Sequence, residues 1–160
     1  MPPEPHHPRK WRVPKGTLIT CGRPGRSLGA DHPKVEKPAI LKWVKGLKLP
    51  ANSVIISLLG RKPDGLSEYS FYPFRGGFDP QSKKPLFQDW LAKEFPDLNL
   101  IVHDHPTVDF MAIDKEKYEA VAAEINAALN AGKTVVLVDS GGEQRTKRVC
   151  EYMGLEERFD

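Results

Sequence analysis

The chain has 160 residues, with 24 Lys or Arg against 21 Asp or Glu and a net charge of +3. That length buries the core of one domain without disulfide staples, and two cysteines, Cys21 and Cys150, exclude a disulfide framework; no apolar run approaches a membrane span or a signal peptide, so the reducing cytoplasm is the expected compartment. Charge is uneven, since residues 1–50 hold eleven Lys or Arg against three Asp or Glu, a balance of +8, and residues 51–160 therefore carry −5: the basic third either meets an acidic partner or nucleic acid, with Trp11 and Trp43 available to stack, or is the solvated face of ordinary surface elements.

In chain order, residues 1–10 come first, with four prolines and the His6-His7 pair, a composition that does not build a core. They are expected to form a flexible arm, leaving 11–160 as a single domain. From Lys37 to Lys48, Ile40, Leu41, Val44 and Leu47 alternate with Lys42, Lys45 and Lys48 in the pattern of an amphipathic surface helix. Ser53 to Leu59 is β-branched and apolar and ends at Gly60, which predicts a buried strand.

Between Glu68 and Asp89, Tyr69, Phe71, Tyr72, Phe74 and Phe78 gather around Arg75-Gly76-Gly77, and Pro85 then opens a helix with Leu86, Trp90, Leu91 and Phe95 on one side. The aromatic stretch reads equally as a loop that shapes ligand choice and as an excursion covering a sheet edge. The short apolar run Leu98 to Val102 precedes His103-Asp104-His105-Pro106-Thr107-Val108-Asp109-Phe110. Asp114 caps a predicted helix reaching about Gly132, in which Tyr118, Val121, Ala122, Ile125, Ala128 and Leu129 recur at three- and four-residue steps. Strands alternating with helices predict an α/β fold with a central, mostly parallel sheet flanked by helices. No metal-ligand spacing occurs, and neither a metal nor a cofactor is expected.

The most specific segment is Val135-Val136-Leu137-Val138-Asp139-Ser140-Gly141-Gly142-Glu143-Gln144-Arg145-Thr146. It reads as a buried strand, a glycine-bearing loop and the start of a helix. Loop N–H groups and the first N–H groups of a helix point together at a tetrahedral anion, and an arginine guanidinium forks onto two of its oxygens. The plain alternative is a strand-turn-helix in which Gly141 and Gly142 only supply positive φ.

From Asp139 to Arg145 the chain resembles the phosphate loop of the cysteine-dependent tyrosine and dual-specificity phosphatases, Cys-x-x-Gly-x-x-Arg followed by Ser or Thr. Gly142, Arg145 and Thr146 fall on that pattern, while Asp139 stands at the cysteine and Val138 at the preceding histidine. Anchoring on the strand instead would put Ser140 at the cysteine with a loop one residue short. The resemblance implies the compact dual-specificity phosphatase fold, with Ser140, Gly141, Gly142, Glu143, Gln144, Arg145 and Thr146 around the phosphate. It also implies that residues 103–110 are the mobile acid loop, with Asp109 as general acid and Asp104 as its competitor. Cys21-Gly22-Arg23-Pro24 is similar, more loosely, to the Gly-x-Pro lead-in of the family's first helix. Lys147 departs from the glycine common after Arg-Thr. The chain ends soon after the Arg145 helix, so a truncated or minimal version with a thin C-terminal shell is expected.

The chemistry is decided at Asp139. Cysteine works there because dipoles and arginine favour a strongly nucleophilic thiolate, whereas a carboxylate is a poor nucleophile toward a phosphate monoester and repels its dianion. The resemblance therefore implies an inactive relative, a binding or regulatory module for phosphate, sulfate or a phosphorylated protein or small molecule, its loop partly occupied by its own carboxylate. Two other readings stay open. One is an active phosphomonoester hydrolase, with a cysteine at 139 in its parent or Asp139 itself forming an aspartyl-phosphate, and the other is a nucleic-acid- or protein-binding domain built on the basic third. Cys150, five residues beyond Arg145, reads as a packed thiol.

Overall fold

In a computed structural model the described residues are 4–28, 37–64, 83–84 and 86–159. They form an α/β fold around a six-stranded mixed sheet of order β4-β3-β5-β2-β1-β6. The strands are β1 (Arg9–Trp11), β2 (Thr17–Gly22), β3 (Val54–Ser57), β4 (Ile101–Asp104), β5 (Thr134–Asp139) and β6 (Glu157–Arg158). The β4-β3, β3-β5 and β5-β2 pairs are parallel, while β1 pairs antiparallel with both β2 and β6. The helices are α1 (Lys37–Leu47), α2 (Phe87–Glu94), α3 (Lys115–Asn130) and α4 (Arg145–Tyr152).

Alternation along the strands divides the core in two. Ile19, Cys21, Ile55, Val136 and Val138 face α1 and α2, meeting Ile40, Trp43, Val44, Leu47, Phe87 and Leu91. Leu18, Val54, Ile56, Val135 and Leu137 face the other way, onto Val121, Ile125 and Leu129 of α3 and Val149 and Cys150 of α4. All six residues of β5 are buried, as are all four of β3. That is the signature of parallel strands covered on both faces, and it explains why their sequences run apolar without alternating.

The expected helices at 37–48 and 114–132 are present as α1 and α3, and the expected strand at 53–59 is present in its central four residues. Around residue 100 the strand lies later than expected: β4 takes in His103 and Asp104 and pairs in register with β3, Ser57 opposite Asp104. Imidazole and carboxylate are tolerated there because β4 is an edge strand whose last two residues are exposed. His105 and His103 lie 2.8 and 3.9 Å from Glu124 Oε2 of α3. The helix expected from Pro85 is α2, whose first helical residue is Phe87, and the aromatic segment 68–82 and Pro85 lie outside the described residues.

Three expectations need correcting. Residues 4–10, expected to be a loose arm, lie on the domain. Glu4 Oε1 accepts bonds from Gly25 N–H at 3.0 Å and Ser27 Oγ at 2.5 Å, the His6 carbonyl accepts from Gly22 N–H at 2.8 Å, and Arg9 and Lys10 belong to β1. Burial of Glu4 raises its pKa against the lowering effect of those bonds. The two tryptophans offered for stacking are core residues: Trp11 Nε1 donates to Thr20 Oγ1, Trp43 Nε1 donates to the Gly22 carbonyl, both at 3.0 Å, and both rings are buried. The C-terminal shell is also more than α4, because the chain returns through Leu155 to β6 and adds a strand beside β1, with Tyr152 stacked on Tyr118 at 5.0 Å. Among the described residues no helix is long and apolar enough to cross a membrane.

The Trp43 bond fastens the end of β2 from the helix side. Trp43→Phe keeps most of the ring volume but leaves the Gly22 carbonyl without that donor. It is expected to cost about 1–3 kcal/mol in urea denaturation, with midpoint lowered and m-value unchanged.

Candidate functional site

β5 carries its chain from Thr134 to Asp139 through the middle of the sheet, with β2 on one side and β3 on the other. Asp139 therefore emerges at the carboxyl end of central strands, where crossing connections leave a crevice in parallel sheets. The loop after it folds back onto β2: Gly141 bridges to Gly22, and Arg23 N–H donates to the Ser140 carbonyl at 3.2 Å. Gly142 has φ +75°, and a Cβ there would lie 2.5 Å from Gly22 N. Both the backbone angle and the close approach require glycine.

This wrapping turns backbone donors inward. Asp139, 2 % exposed, accepts Gly142 N–H on Oδ1, and its Oδ2 accepts Thr146 N–H at 3.0 Å. The N-cap position of α4 is Gln144, which makes no side-chain capping bond. The strand carboxylate thus does from outside the helix what a cap residue does from within, satisfying a first-turn donor at the positive end of the helix dipole. The Thr146 hydroxyl beside it is buried without a hydrogen-bond partner among the described residues.

Arg145, also 2 % exposed, turns toward the neighbouring strands. Its Nη1 donates to Thr107 Oγ1 at 3.0 Å and to the Leu58 carbonyl at 3.3 Å, and its Nη2 lies 3.3 Å from Asp109 Oδ1. Thr107 is itself fixed, with Oγ1 donating to the Leu58 carbonyl at 2.6 Å and its carbonyl accepting Arg61 N–H at 3.1 Å. One guanidinium therefore binds the loop after β3 to the loop after β4. Asp109 is held a second time, by Phe110 N–H at 3.0 Å, and Phe110 stands 73 % exposed at φ +62°.

The result is a cavity of about 110 Å³ lined by Asp109, Asp139, Ser140, Gly141, Glu143, Gln144 and Arg145, together with Arg26 and Phe110. The residues singled out from the sequence are brought to one place, Gly142 and Thr146 through their N–H groups. Asp104, the competing acid, sits exposed on β4 and is not among the lining residues. Arg26 and Phe110 were missed. Phe110 follows the acid candidate directly, but nothing in its residue type announces an exposed aromatic. Arg26 lies more than a hundred positions from the loop and reaches it only because β2 pairs with β5. The cavity joins two guanidiniums to three carboxylates, Asp109, Asp139 and Glu143, the last of them 3.4 Å from His7 Nε2.

Neither cysteine belongs to this chemistry. Burial pushes the Cys150 thiol up to about 12, and burial followed by the Asp139 charge raises Cys21 further from reactivity. Among the described residues no group of three His, Cys, Asp or Glu is arranged to hold a metal. A larger cavity, about 620 Å³, lies on the outer side of Thr107 and Val108, between Arg61 and Lys117. At the opposite end of the sheet two cavities of about 480 and 330 Å³ share Lys10 and Thr17. Arg9, Lys10, Arg12, Lys48 and Arg158 line them, with no described carboxylate.

The carboxylate's structural role has a measurable size. Asp139→Ala leaves two buried donors unpaired and is expected to lower unfolding free energy by about 2–6 kcal/mol, at about 1–3 for each donor. Asp139→Asn keeps one acceptor and should lose about half as much, while Thr146→Val removes a hydroxyl that has no partner among the described residues and should cost under about 1 kcal/mol. Equal, small losses for Asp139→Ala and Asp139→Asn would mean that the carboxylate does not hold the loop.

No protein family, curated protein or solved structure matches the chain in comparison, so its functional reading rests on the geometry of this site.

Proposed function

We propose that the chain is a phosphatase-like oxyanion-binding module that does not turn over phosphate monoesters, its anion position occupied by its own Asp139. The observation carrying this reading is that the Asp139 carboxylate takes Gly142 N–H and Thr146 N–H, donors of the loop and first helical turn that resemble the family's phosphate cradle. A carboxylate is a flat, singly charged oxyanion. Donors that converge on it are placed for one oxygen pair of a phosphate or sulfate.

Chemistry argues against turnover. A phosphoryl group in the cavity meets three carboxylates, and each like-charged pair at about 4 Å opposes binding by about 4 kcal/mol at an effective dielectric near 20, before Arg26 and Arg145 offset it. An aspartyl-phosphate mechanism generally leans on Mg²⁺ held by a second carboxylate beside the nucleophile. Among the described residues lining the cavity, Asp109 is the acid from the β4 side, and it is committed to Arg145.

Two linked measurements test this. The chain should hydrolyse p-nitrophenyl phosphate no faster than its Asp139→Asn variant, whereas that variant should bind phosphate, sulfate or vanadate more tightly by calorimetry, because a repelling charge is gone. Asp139→Cys should gain turnover, and in that background Asp109→Asn should slow poor leaving groups by about two orders of magnitude. Clear hydrolysis lost in Asp139→Asn would instead establish Asp139 as a nucleophile, and unchanged anion binding would leave the loop a purely structural turn.

A second reading, an acidic-partner or nucleic-acid surface, is favoured by the five cations lining the cavities at the far end of the sheet. With Trp11 and Trp43 in the core, such a surface engages phosphates rather than bases. Binding of a short oligonucleotide, followed by anisotropy, should then fall steeply with salt and flatten by about one unit of log–log slope in Lys10→Gln. Absence of binding at low salt removes the nucleic-acid form of this reading.

A further inference from the structure

The cradle contains a second guanidinium, outside the phosphate-loop pattern. Arg26 opens a single 3₁₀ turn, Arg26–Leu28, just beyond β2. Its position is fixed by backbone bonds: Arg26 N–H donates to the Arg23 carbonyl at 3.1 Å, and Arg23 N–H donates to the loop at Ser140. The guanidinium lies over Gly141, so that a methyl group built on that glycine would sit 3.6 Å from Nη2 and 3.9 Å from Nε. The positive charge is felt nearby, where it adds to burial and His7 in lowering the pKa of His6.

The two arginines of the cavity differ in what they are doing. Arg145 is almost wholly buried and spans Leu58, Thr107 and Asp109. Arg26 is half-buried, lines the same cavity, and its Nε is shielded from solvent without a hydrogen-bond partner among the described residues. A shielded guanidinium N–H without an acceptor is costly, and the acceptor that suits the fork is a planar or tetrahedral oxyanion. The cavity of about 110 Å³ between Arg26 and the loop has room for one phosphoryl group beside both arginines.

Resting on the oxyanion reading of the loop, we propose that Arg26 is the anion-recognising residue of this cavity: it forks onto a single phosphoryl group of a phosphate monoester, while Arg145 holds the cavity floor. The ester's organic part would leave the cavity beside exposed Phe110. Exchange to lysine keeps the charge but not the fork.

The test is calorimetric titration of the full chain with inorganic phosphate, in the native sequence and in Asp139→Asn. In the Asp139→Asn background, Arg26→Gln should weaken phosphate binding about tenfold, the scale of one charge-assisted bond, and Arg26→Lys by less. Lys93→Gln, the same loss of charge on the exposed side of α2, should change it less than about twofold. A second readout needs no substitution: modification by an arginine-selective dicarbonyl, mapped by peptide mass, should be slowed at Arg26 by phosphate and not by chloride at equal ionic strength. If Asp139→Asn still strengthens binding while Arg26→Gln and phosphate protection show nothing, Arg26 is not the recognition residue and the oxyanion reading stands without it. If Asp139→Asn brings no gain and Arg26 is not protected, the cradle reading fails and the assignment of Arg26 fails with it.

Discussion

The pair of bonds from Asp139 to Gly142 N–H and Thr146 N–H is the constraint on which the site depends. It joins the end of the central strand to the first turn of α4 and so sets where that helix begins. Arg145, the first residue of the helix, is thereby aimed across β3 at Leu58, Thr107 and Asp109. Remove the carboxylate and the helix start, the arginine and the loop of Thr107 and Asp109 lose their common reference. A buried carboxylate is tolerated because its charge is spread over donors at a helix N-terminus, which offset much of its desolvation.

The same few contacts serve two ends at once. A loop closed on its own side chain is rigid, and rigidity keeps the cavity open beside it, between Arg26 and the segment 140–144. Gly22 ties these together: its carbonyl receives Trp43, its N–H goes to His6, and its backbone abuts Gly142, where a Cβ would lie 2.5 Å from Gly22 N. The N-terminal segment, through Glu4 and His6, therefore reaches the back of the loop, and His7 reaches its exposed rim at Glu143. Residues that look dispensable by composition are part of the site's support.

How much of this was legible follows from what each element needs. β3, β5, α1 and α3 announce themselves because burial on both faces or on one helical stripe writes a period into the sequence. β1 and β6 do not: three and two residues at an antiparallel edge, rich in Arg, Lys and Glu, carry no period, and β1 is fixed by pairing with β2 and β6 by pairing with β1. The arm from Glu4 was misjudged for a related reason, since single hydrogen bonds to Gly22, Gly25 and Ser27 fix it and no apolar pattern does. At the site, the glycines and the arginine marked a strand-loop-helix, and the structure has one there, because backbone geometry limits which residues fit the turn at Gly142. Arg26 was out of reach, being placed by strand order alone.

Self-occupation also sets a limit on any ligand that uses the same donors. An anion seated on Gly142 N–H and Thr146 N–H must first release Asp139, and two charge-assisted bonds at about 1.5–3 kcal/mol each make the open loop a minor state by about 3–6 kcal/mol. Apparent affinity falls with the fraction of open loop, here by about two to four powers of ten. A ligand that stays in front of the carboxylate, on Arg26 and the outward edge of the loop, escapes that penalty but meets the charge of Asp139 directly. The two modes respond oppositely to a ligand's charge: a dianion gains most from displacing Asp139, a monoanion from leaving it in place. On the proposed oxyanion reading, a ligand would therefore be sorted by charge state before any contact with its organic part is made.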